Sequence, residues 1–363
     1  MHYPAPASSR CRAVRVMRRG NKNRRISWGL IGLGLQGERI ASAIQSSGHS
    51  HLDAVAGESA IHAKVFAERH GAGKSFDSYK KLVEEPSLDA VFVASPNNEH
   101  ALNTIAALRA RKHVFCEKPM ALSLAEGARI KDAVAKSGRK LGVGFHLRAH
   151  SAIQRAKEII KIGRLGTLLL IETDWSTGRI GEDKLPALPR HMRWREDPKK
   201  SGGGTIMARG VHLFDLIRFL TGEEIVEIAG YTDQGVEASV ERTAVGVMKM
   251  RGGAFGKIVS SKRLPYARNE IVVHGTKGRF ILSRALNPGE AADLEVFEGK
   301  KYSAEKFAPE DLYKKELELF RRAVAGEKIR TLAAVDDGIA AIRIAESFFR
   351  SARTGKSVIV QGG

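Results

Sequence analysis

The sequence predicts an α/β protein with two domains: an N-terminal doubly wound parallel sheet and a C-terminal α+β domain with a mainly antiparallel, open sheet. From about residue 26, strand and helix patterns alternate along the chain, which is typical of a parallel sheet with crossover helices. After about residue 147, strand patterns follow one another without helices between them, which indicates antiparallel pairing.

The first domain is predicted over residues 26–146. Its strands are WGLIG, LDAVAG, DAVFVAS and HVFC, and the helical segments are ERIASAIQS, IHAKVFAERH and EHALNTIAALRAR. Gly32, Gly34 and Gly37 have GxGxxG spacing between the first strand and its helix. In this motif the first glycine allows a tight turn, the second lets the backbone approach a pyrophosphate, and the third permits close helix–strand packing. The motif and its context together predict a Rossmann dinucleotide-binding domain.

The end of the second strand bears on the choice between NAD and NADP. A carboxylate there binds the ribose 2′-hydroxyl of NAD, whereas a small residue beside a basic one accommodates the 2′-phosphate of NADP. Here Gly57 is followed by Glu58, and no arginine comes next. Glu58 is either a ribose ligand or a solvated surface acid, so the sequence leaves the cofactor as NAD or NADP.

The second domain is predicted over residues 147–363. A helix, HSAIQRAKEIIKIGRLG, precedes the strands TLLLIETDW, EIVEIAGYT, TAVGVMKM, AFGKIVSSK, NEIVVHG and GRFILS. A helix over 205–220 is expected to cover one face of this sheet. The segment GRIGEDKLPALPRHMRWREDPKK contains three prolines and is predicted to be a long loop, either closing over substrate or mobile on the surface.

Charge and cysteine content exclude several classes of protein. The formal charge is +20, and residues 1–25 hold eight lysines and arginines with no acidic residue. This leader is predicted to be disordered, and Met17 is an alternative start to Met1. The remaining charges are mixed in sign, so no specific nucleic-acid partner is expected. Two cysteines, Cys11 and Cys116, suggest neither a disulfide framework nor a metal site, and a reducing cytoplasmic location fits.

No apolar stretch reaches the roughly 20 residues that a membrane helix needs, so no membrane partner is expected.

A first candidate for a catalytic segment is HVFCEKPMALS, in which Glu117 and Lys118 follow a strand. Open α/β sheets bind ligands at this carboxyl edge. A lysine there could hold a substrate hydroxyl and exchange its proton, although a lysine after a strand is also commonly a solvated surface charge.

A second candidate is the segment SGGGTIMARGVHLFDLIRFLTG, residues 201–222. If it is helical, Ala208, His212 and Asp215 lie along one face, because side chains at i, i+3 and i+4 are neighbours. His212 is then either a catalytic acid/base or a packed histidine of the core. Asp215 could orient its imidazole or form a structural hydrogen bond.

The motifs GxGxxG, SPNNEH, HVFCEKPMAL, GVGFHLR, WREDPKKSGGG and GVHLFD, in this order, resemble the Gfo/Idh/MocA oxidoreductase family from about Ile26 to the end. The resemblance implies that Lys118 lies beside the nicotinamide and assists proton transfer. It implies that His212 contacts the reacting oxygen. The expected cofactor-binding residues are Gly32, Gly34, Gly37, Glu58, Pro96, Asn97, His100, Glu117 and Lys118. It also implies a homodimer or homotetramer, with the open sheet face as a dimer contact.

Two positions depart from the family pattern. Many sugar-oxidising members carry an aspartate where this chain has Ala208, and asparagine is common where this chain has His146. Arg148 is retained. We expect His146, Arg148 and Asp215 on the substrate side of the site.

The predicted activity is hydride transfer between a nicotinamide and a secondary alcohol of a sugar, cyclitol or related polyol. Two alternatives stay open at this stage. One is an NAD-dependent glycosidase that oxidises its sugar transiently, and the other is a non-catalytic ligand-binding homologue, which Ala208 favours. No metal is expected in any of these.

Overall fold

The structure is a computed structural model, and it describes residues 25–178, 180, 187–233 and 240–362. All of the predicted leader except Arg25 lies outside the described residues, as do Cys11 and both possible starting methionines.

The first sheet has six parallel strands in the described chain, in the order β3-β2-β1-β4-β5-β6. Its strands are β1 Ile26–Ile31, β2 Ser50–Ala56, β3 Lys74–Phe76, β4 Ala90–Val93, β5 His113–Cys116 and β6 Leu141–Val143. The helices are α1 Leu35–Ser46, α2 Ala60–His70, α3 Tyr79–Val83, α4 His100–Arg109 and α5 Leu124–Ser137. The predicted doubly wound fold is confirmed, with the short strands β3 and β6 in addition to those predicted.

Aromatic side chains fill the core on one side of this sheet. Trp28, Phe92 and Phe115 are fully buried, and the rings of Phe92 and Phe115 stack at 5.1 Å. Phe320 reaches the same core from α9, Leu312–Val324, with its ring 5.5 Å from that of Trp28. A helix from the predicted second domain therefore packs into the core of the first.

The second sheet has nine strands in the described residues, in the order β14-β13-β12-β11-β7-β10-β9-β8-β15. They are β7 Leu168–Ser176, β8 Ile225–Thr232, β9 Thr243–Met250, β10 Phe255–Ser261, β11 Glu270–Gly275, β12 Gly278–Ser283, β13 Ala292–Glu298, β14 Lys301–Phe307 and β15 Val358–Ile359. The sheet is mainly antiparallel as predicted, but β7 and β10 pair in parallel at its centre. Strands β13, β14 and β15 were not predicted.

Helices cover one face of this sheet. They are α6 Ser151–Lys161, α8 Val211–Thr221 and α10 Val335–Thr354, and the short α7 spans Pro198–Ser201. On the other face the side chains of Val245, Val247 and Phe255 are 39%, 53% and 53% exposed. The dimer contact predicted for this open face depends on exposed apolar side chains such as these.

Two expectations for residues 177–220 need correction. The segment predicted as one long loop contains a 3₁₀ helix, Arg190–Glu196, followed by α7; residues 179 and 181–186 of that segment lie outside the described part. The predicted helix over 205–220 begins with a π-helical turn, Ile206–Gly210, before α8. Insertions of this kind occur often at functional sites.

Among the residues that the structure describes, no helix is long and apolar enough to cross a membrane. The same residues contain no group of three or more His, Cys, Asp or Glu side chains arranged to hold a metal ion.

Candidate active site

The glycine turn between β1 and α1 opens onto a cavity. Gly32 has φ +92°, and a Cβ added there would lie 2.4 Å from the backbone of Ala94. A Cβ on Gly37 would lie 2.2 Å from the carbonyl oxygen of Gly32. The packing of the protein itself therefore requires these two glycines. A Cβ on Gly34 would meet no atom within 4 Å, so this position faces open space.

That open space is a cavity of about 990 Å³ beside the N-terminus of α1. Gly34 is the N-cap of this 12-residue helix, and no side chain caps its free N–H groups. Such a helix end binds anions through N–H groups and the helix dipole. The cavity wall also contains Glu58, Pro96 and Glu99. The turn, the helix end and the size of the space fit the pyrophosphate and adenosine of a dinucleotide.

A second cavity, of about 410 Å³, adjoins the first, and both are lined by Gln36, Trp194 and Arg195. Lys118 and His212 both face this second cavity, which we call the substrate cavity. The fold thus brings together two residues from separate domains that were singled out independently in the sequence.

Lys118 is held by a backbone carbonyl. Its Nζ donates a hydrogen bond to the carbonyl oxygen of Ala208 at 2.7 Å. The pKa of Lys118 is lowered to about 8, mainly by burial, which Glu117 opposes and the nearby cations Arg195, Arg209 and Lys262 reinforce. Ala208 has no side-chain acid to offer, yet it lies within the π-helical turn and contacts the lysine through its main chain. Lys118 can therefore exchange a proton near neutral pH.

Glu117 is buried between α1 and the turn after β6. It accepts a hydrogen bond from Gln36 Nε2 at 2.7 Å and one from the backbone N–H of Lys118 at 3.2 Å. A Cβ on Gly144 would lie 3.2 Å from its carboxyl group, so a larger residue there would crowd it. Burial raises the pKa of this carboxyl group. Glu117 thus fixes the backbone of Lys118.

His212 and His146 form an aromatic wall of the substrate cavity. Their ring centroids lie 4.8 Å apart, and the ring of Trp175 lies 5.5 Å from that of His212. Among the described residues, Nδ1 of His212 and Nε2 of His146 have no hydrogen-bond partner. Burial lowers the pKa of His146 to about 3 and that of His212 well below its ordinary value. Both imidazoles are therefore neutral at physiological pH.

The glycine run that leads into α8 is held by one buried carboxylate. Glu241 accepts hydrogen bonds from the backbone N–H groups of Gly204 and Ile206, each at 2.8 Å. A Cβ on Gly204 would lie 1.7 Å from the carbonyl oxygen of Glu241. This contact fixes the start of the segment that carries Ala208 and His212.

Arg148 and Asp215 do not line the substrate cavity, contrary to the expectation that they bind substrate. Asp215 accepts two hydrogen bonds from the guanidinium of Arg148, at 2.8 and 2.6 Å, and Asp337 lies 2.9 Å from the same group. Both oxygens of Asp215 are engaged in this buried ion pair, so the carboxylate does not orient the imidazole of His212. The pair instead joins α8 to the turn that carries His146.

Asn97 and His100 line the substrate cavity, but their polar atoms contact the protein backbone. Asn97 Nδ2 donates to the carbonyl oxygen of Ser201 at 2.9 Å. The two ring nitrogens of His100 lie 2.7 and 2.8 Å from the carbonyl oxygens of Pro119 and Ser95. These contacts tie together the loops around the cavity.

Several residues of the site were not singled out in the sequence. They line the substrate cavity from distant segments: Arg39, Trp175, Arg195, Arg209, Lys262 and Tyr313. Arg195 belongs to the WRED motif, which could have indicated it. Lys262 follows β10, and Tyr313 lies on α9; no local motif marks either of them.

Comparison with known proteins identifies the family. Residues 26–145 match the NAD-binding Rossmann-fold domain of the GFO/IDH/MocA oxidoreductases, and residues 153–281 match the C-terminal domain of that family. The chain belongs to the Gfo/Idh/MocA family. The resemblance inferred from the sequence motifs is confirmed, and with it the assignment as an NAD(P)-binding oxidoreductase.

Members of the Gfo/Idh/MocA family resemble the chain over most of its length. The 1,5-anhydro-D-fructose reductase of Ensifer adhaerens is 28% identical over 344 residues, which cover 93% of this chain and 99% of that protein. The myo-inositol 2-dehydrogenase of Thermotoga maritima is 31% identical over 257 residues, covering 69% and 73%. The crystal structure of aldose-aldose oxidoreductase from Caulobacter crescentus, complexed with glycerol, has a TM-score of 0.82 at 27% identity and covers 93% of this chain and 100% of that one.

Proposed function

We propose that this protein is an NAD(P)-dependent dehydrogenase or reductase that transfers a hydride between nicotinamide and a secondary alcohol of a sugar, cyclitol or related polyol. The observation that carries the proposal is Lys118. It lines a cavity that adjoins the glycine-turn cavity, and its pKa is about 8. The named relatives, a sugar reductase and an inositol dehydrogenase, support this substrate class.

The bound nicotinamide supplies or accepts the hydride, and the chain supplies the rest of the chemistry. In the direction of oxidation, neutral Lys118 takes the hydroxyl proton at Nζ. His212 is neutral and lines the same cavity, so its imidazole holds the same oxygen by a hydrogen bond. Because a lysine with a pKa near 8 is a far better base than this histidine, Lys118 carries the proton transfer.

We propose NAD as the preferred cofactor. Glu58 and Glu99 both line the cavity at the carboxyl ends of β2 and β4, where this fold binds the adenosine ribose. The two carboxylates are close enough that Glu58 raises the pKa of Glu99, after the larger effect of burial. Their charge favours a ribose hydroxyl and opposes a 2′-phosphate. Arg193 and Lys200 line the same cavity from residues 190–201, and their positive charge favours a 2′-phosphate instead. Comparing kcat/KM for NAD and NADP shows which of the two charges determines the preference.

We also propose that the chain assembles as a homodimer or homotetramer through the open face of the second sheet. Val247 and Phe255 are both half-exposed there, on neighbouring strands. Apolar side chains on an exposed sheet face are typical of protein contacts. Light scattering of the wild type and of a Val247→Lys variant tests this directly.

The proposed activity is tested by nicotinamide absorbance with NAD and NADP against a panel of sugars, cyclitols and polyols. The Lys118→Ala variant should lose activity, whereas Lys64→Ala, at an exposed position on α2, serves as the control and should retain it. Cleavage of a glycoside without net change in absorbance would support the glycosidase alternative instead. Binding without turnover would support the ligand-binding alternative.

A further inference from the structure

The substrate cavity carries an excess of positive charge. Five cationic side chains line it, and Glu117 is the single carboxylate in its wall among the described residues. The cations are Arg39, Lys118, Arg195, Arg209 and Lys262. Burial raises the pKa of Glu117, which further reduces the negative charge available to balance them.

None of these cations forms an ion pair with a carboxylate in the part of the chain that the structure describes, and the carboxylates that act on them do so at longer range: Glu117 on Lys118 and Arg195, and Glu241 on Lys262. Nζ of Lys262 has only charge interactions there: after the larger effect of burial, which lowers its pKa, Arg209 and Arg195 lower it and Glu241 raises it. Nε of Arg195 is buried without a hydrogen-bond partner. Arg209 donates only to neutral oxygens, the carbonyl of Ser261 at 2.7 Å and the hydroxyl of Thr177 at 2.9 Å. Other buried arginines, such as Arg148, are paired with carboxylates. Clustering partly buried cations with so few carboxylates to balance them is unfavourable, so a bound anion would stabilise this arrangement.

Besides Lys118 and Arg39, two of the cations line the substrate cavity without lining the glycine-turn cavity. Arg195 lines both cavities, so its charge is shared with the dinucleotide site. Arg209 and Lys262 line only the substrate cavity. Arg209 lies 5.8 Å from the centroid of the Trp175 ring, which in turn lies 5.5 Å from that of His212. Besides burial, the charges of Arg209 and Lys262 both lower the pKa of Lys118, so the two cations lie near the proposed position of the reacting hydroxyl.

Resting on the proposed function, we infer that the substrate is an anionic polyol, a sugar acid or a sugar phosphate, whose carboxylate or phosphate binds Arg209 and Lys262 while its hydroxyl lies at Lys118. Two of the five guanidinium N–H groups of Arg209 are used by the protein, so others are free to bind an oxyanion. Lys262 adds a point charge to the same group. This substrate class differs from the polyols named for the relatives by its negative charge.

The test compares matched pairs that differ in the anionic group: D-glucitol with D-gluconate, D-galactose with D-galacturonate, and myo-inositol with myo-inositol 1-phosphate. We expect at least one anionic member to exceed its neutral partner about tenfold in kcat/KM, with a preference that falls as salt is raised. Galacturonate and gluconate report a carboxylate, and the inositol phosphate reports a phosphate.

Variants of Lys262 assign the preference to this site. Lys262→Met should lower kcat/KM about 10- to 100-fold more for the anionic substrate than for its neutral partner, the usual contribution of a charge-assisted hydrogen bond; the neutral partner reports the effect, common to both, of removing a charge that lowers the pKa of Lys118. Lys262→Arg should restore most of the preference. Lys136→Met is the matched control, because Lys136 is exposed on α5, paired with Asp132, and lines neither the substrate cavity nor the open sheet face; it should change neither value.

The outcomes separate this inference from the proposed function. Equal turnover of neutral and anionic members, or an equal loss of both in Lys262→Met, would overturn the inference and leave the dehydrogenase assignment intact. Absence of nicotinamide turnover with every member would contradict the dehydrogenase assignment. Calorimetric titration of the NAD-bound protein with each pair then decides the inference: tighter binding of the anion, lost in Lys262→Met, supports it, and equal binding overturns it.

Discussion

Replacing Lys118 with alanine should lower the rate of alcohol oxidation about 10²- to 10⁴-fold, because the substrate hydroxyl then loses its base. The environment of Lys118 makes it an effective base near neutral pH. With a pKa of about 8, roughly one Lys118 in ten is neutral at pH 7. A lysine with the ordinary pKa of about 10.4 would be neutral in only about one molecule in 2,500. Burial therefore increases the population of the active base about 250-fold.

The assay is the pH profile of kcat/KM for oxidation. In the wild type the value should rise with pH and level off above about pH 8, as neutral Lys118 becomes dominant; the reduction rate should show the opposite trend, because it requires the protonated lysine. Lys118→Ala should lose this limb while binding NAD as the wild type does. A variant within tenfold of the wild type, or one that keeps the limb near pH 8, would refute the assignment of Lys118 as the base.

Four further predictions concern the cofactor site, His212 and the ion pair between Arg148 and Asp215. Gly34→Val should weaken NAD binding strongly without unfolding the protein, since its side chain would enter the cavity and not the core; isothermal titration and a thermal melt measure the two effects. Glu58→Arg should shift the ratio of kcat/KM values toward NADP, and an unchanged ratio would mean that Glu58 does not face the ribose. His212→Ala should reduce turnover by about 10²-fold and less than Lys118→Ala does, with unchanged NAD binding. Asp215→Asn should destabilise the fold by up to about 3–5 kcal/mol in urea unfolding, because it removes the bidentate partner of the buried guanidinium of Arg148 and leaves Asp337 as its remaining carboxylate; a loss below about 1 kcal/mol would argue against a stabilising role of the Asp215 pair.

Sequence periodicity was sufficient for most of the fold. Buried strands and amphipathic helices in the first 146 residues follow one another clearly enough to predict the parallel sheet. Strand β14, KYSAEKF, is mostly exposed and so carries no alternating apolar pattern to reveal it. Strand β3 has three residues, none of them buried. The parallel pairing of β7 with β10 depends on which strands become neighbours, and local patterns do not contain that information.

The residues of the site also fall into those that local motifs predicted and those that only the fold brings together. Lys118 and His212 belong to compact motifs, so their residue types and spacing were informative before the fold was known. Arg148 and Asp215 are 67 positions apart, and their partnership depends on the packing of α8 against the turn after β6. Lys262 has no motif around it, and its importance comes from the cavity that it shares with Arg209.

The central claim is net hydride transfer to nicotinamide with Lys118 as the proton acceptor. The most direct test counts reduced nicotinamide formed per molecule of polyol consumed, for the wild type and for Lys118→Ala. The account predicts one reduced nicotinamide for each polyol oxidised by the wild type, and a rate lower by about 10²- to 10⁴-fold in the variant. Consumption of substrate without net nicotinamide reduction, or equal rates in the two proteins, would contradict it.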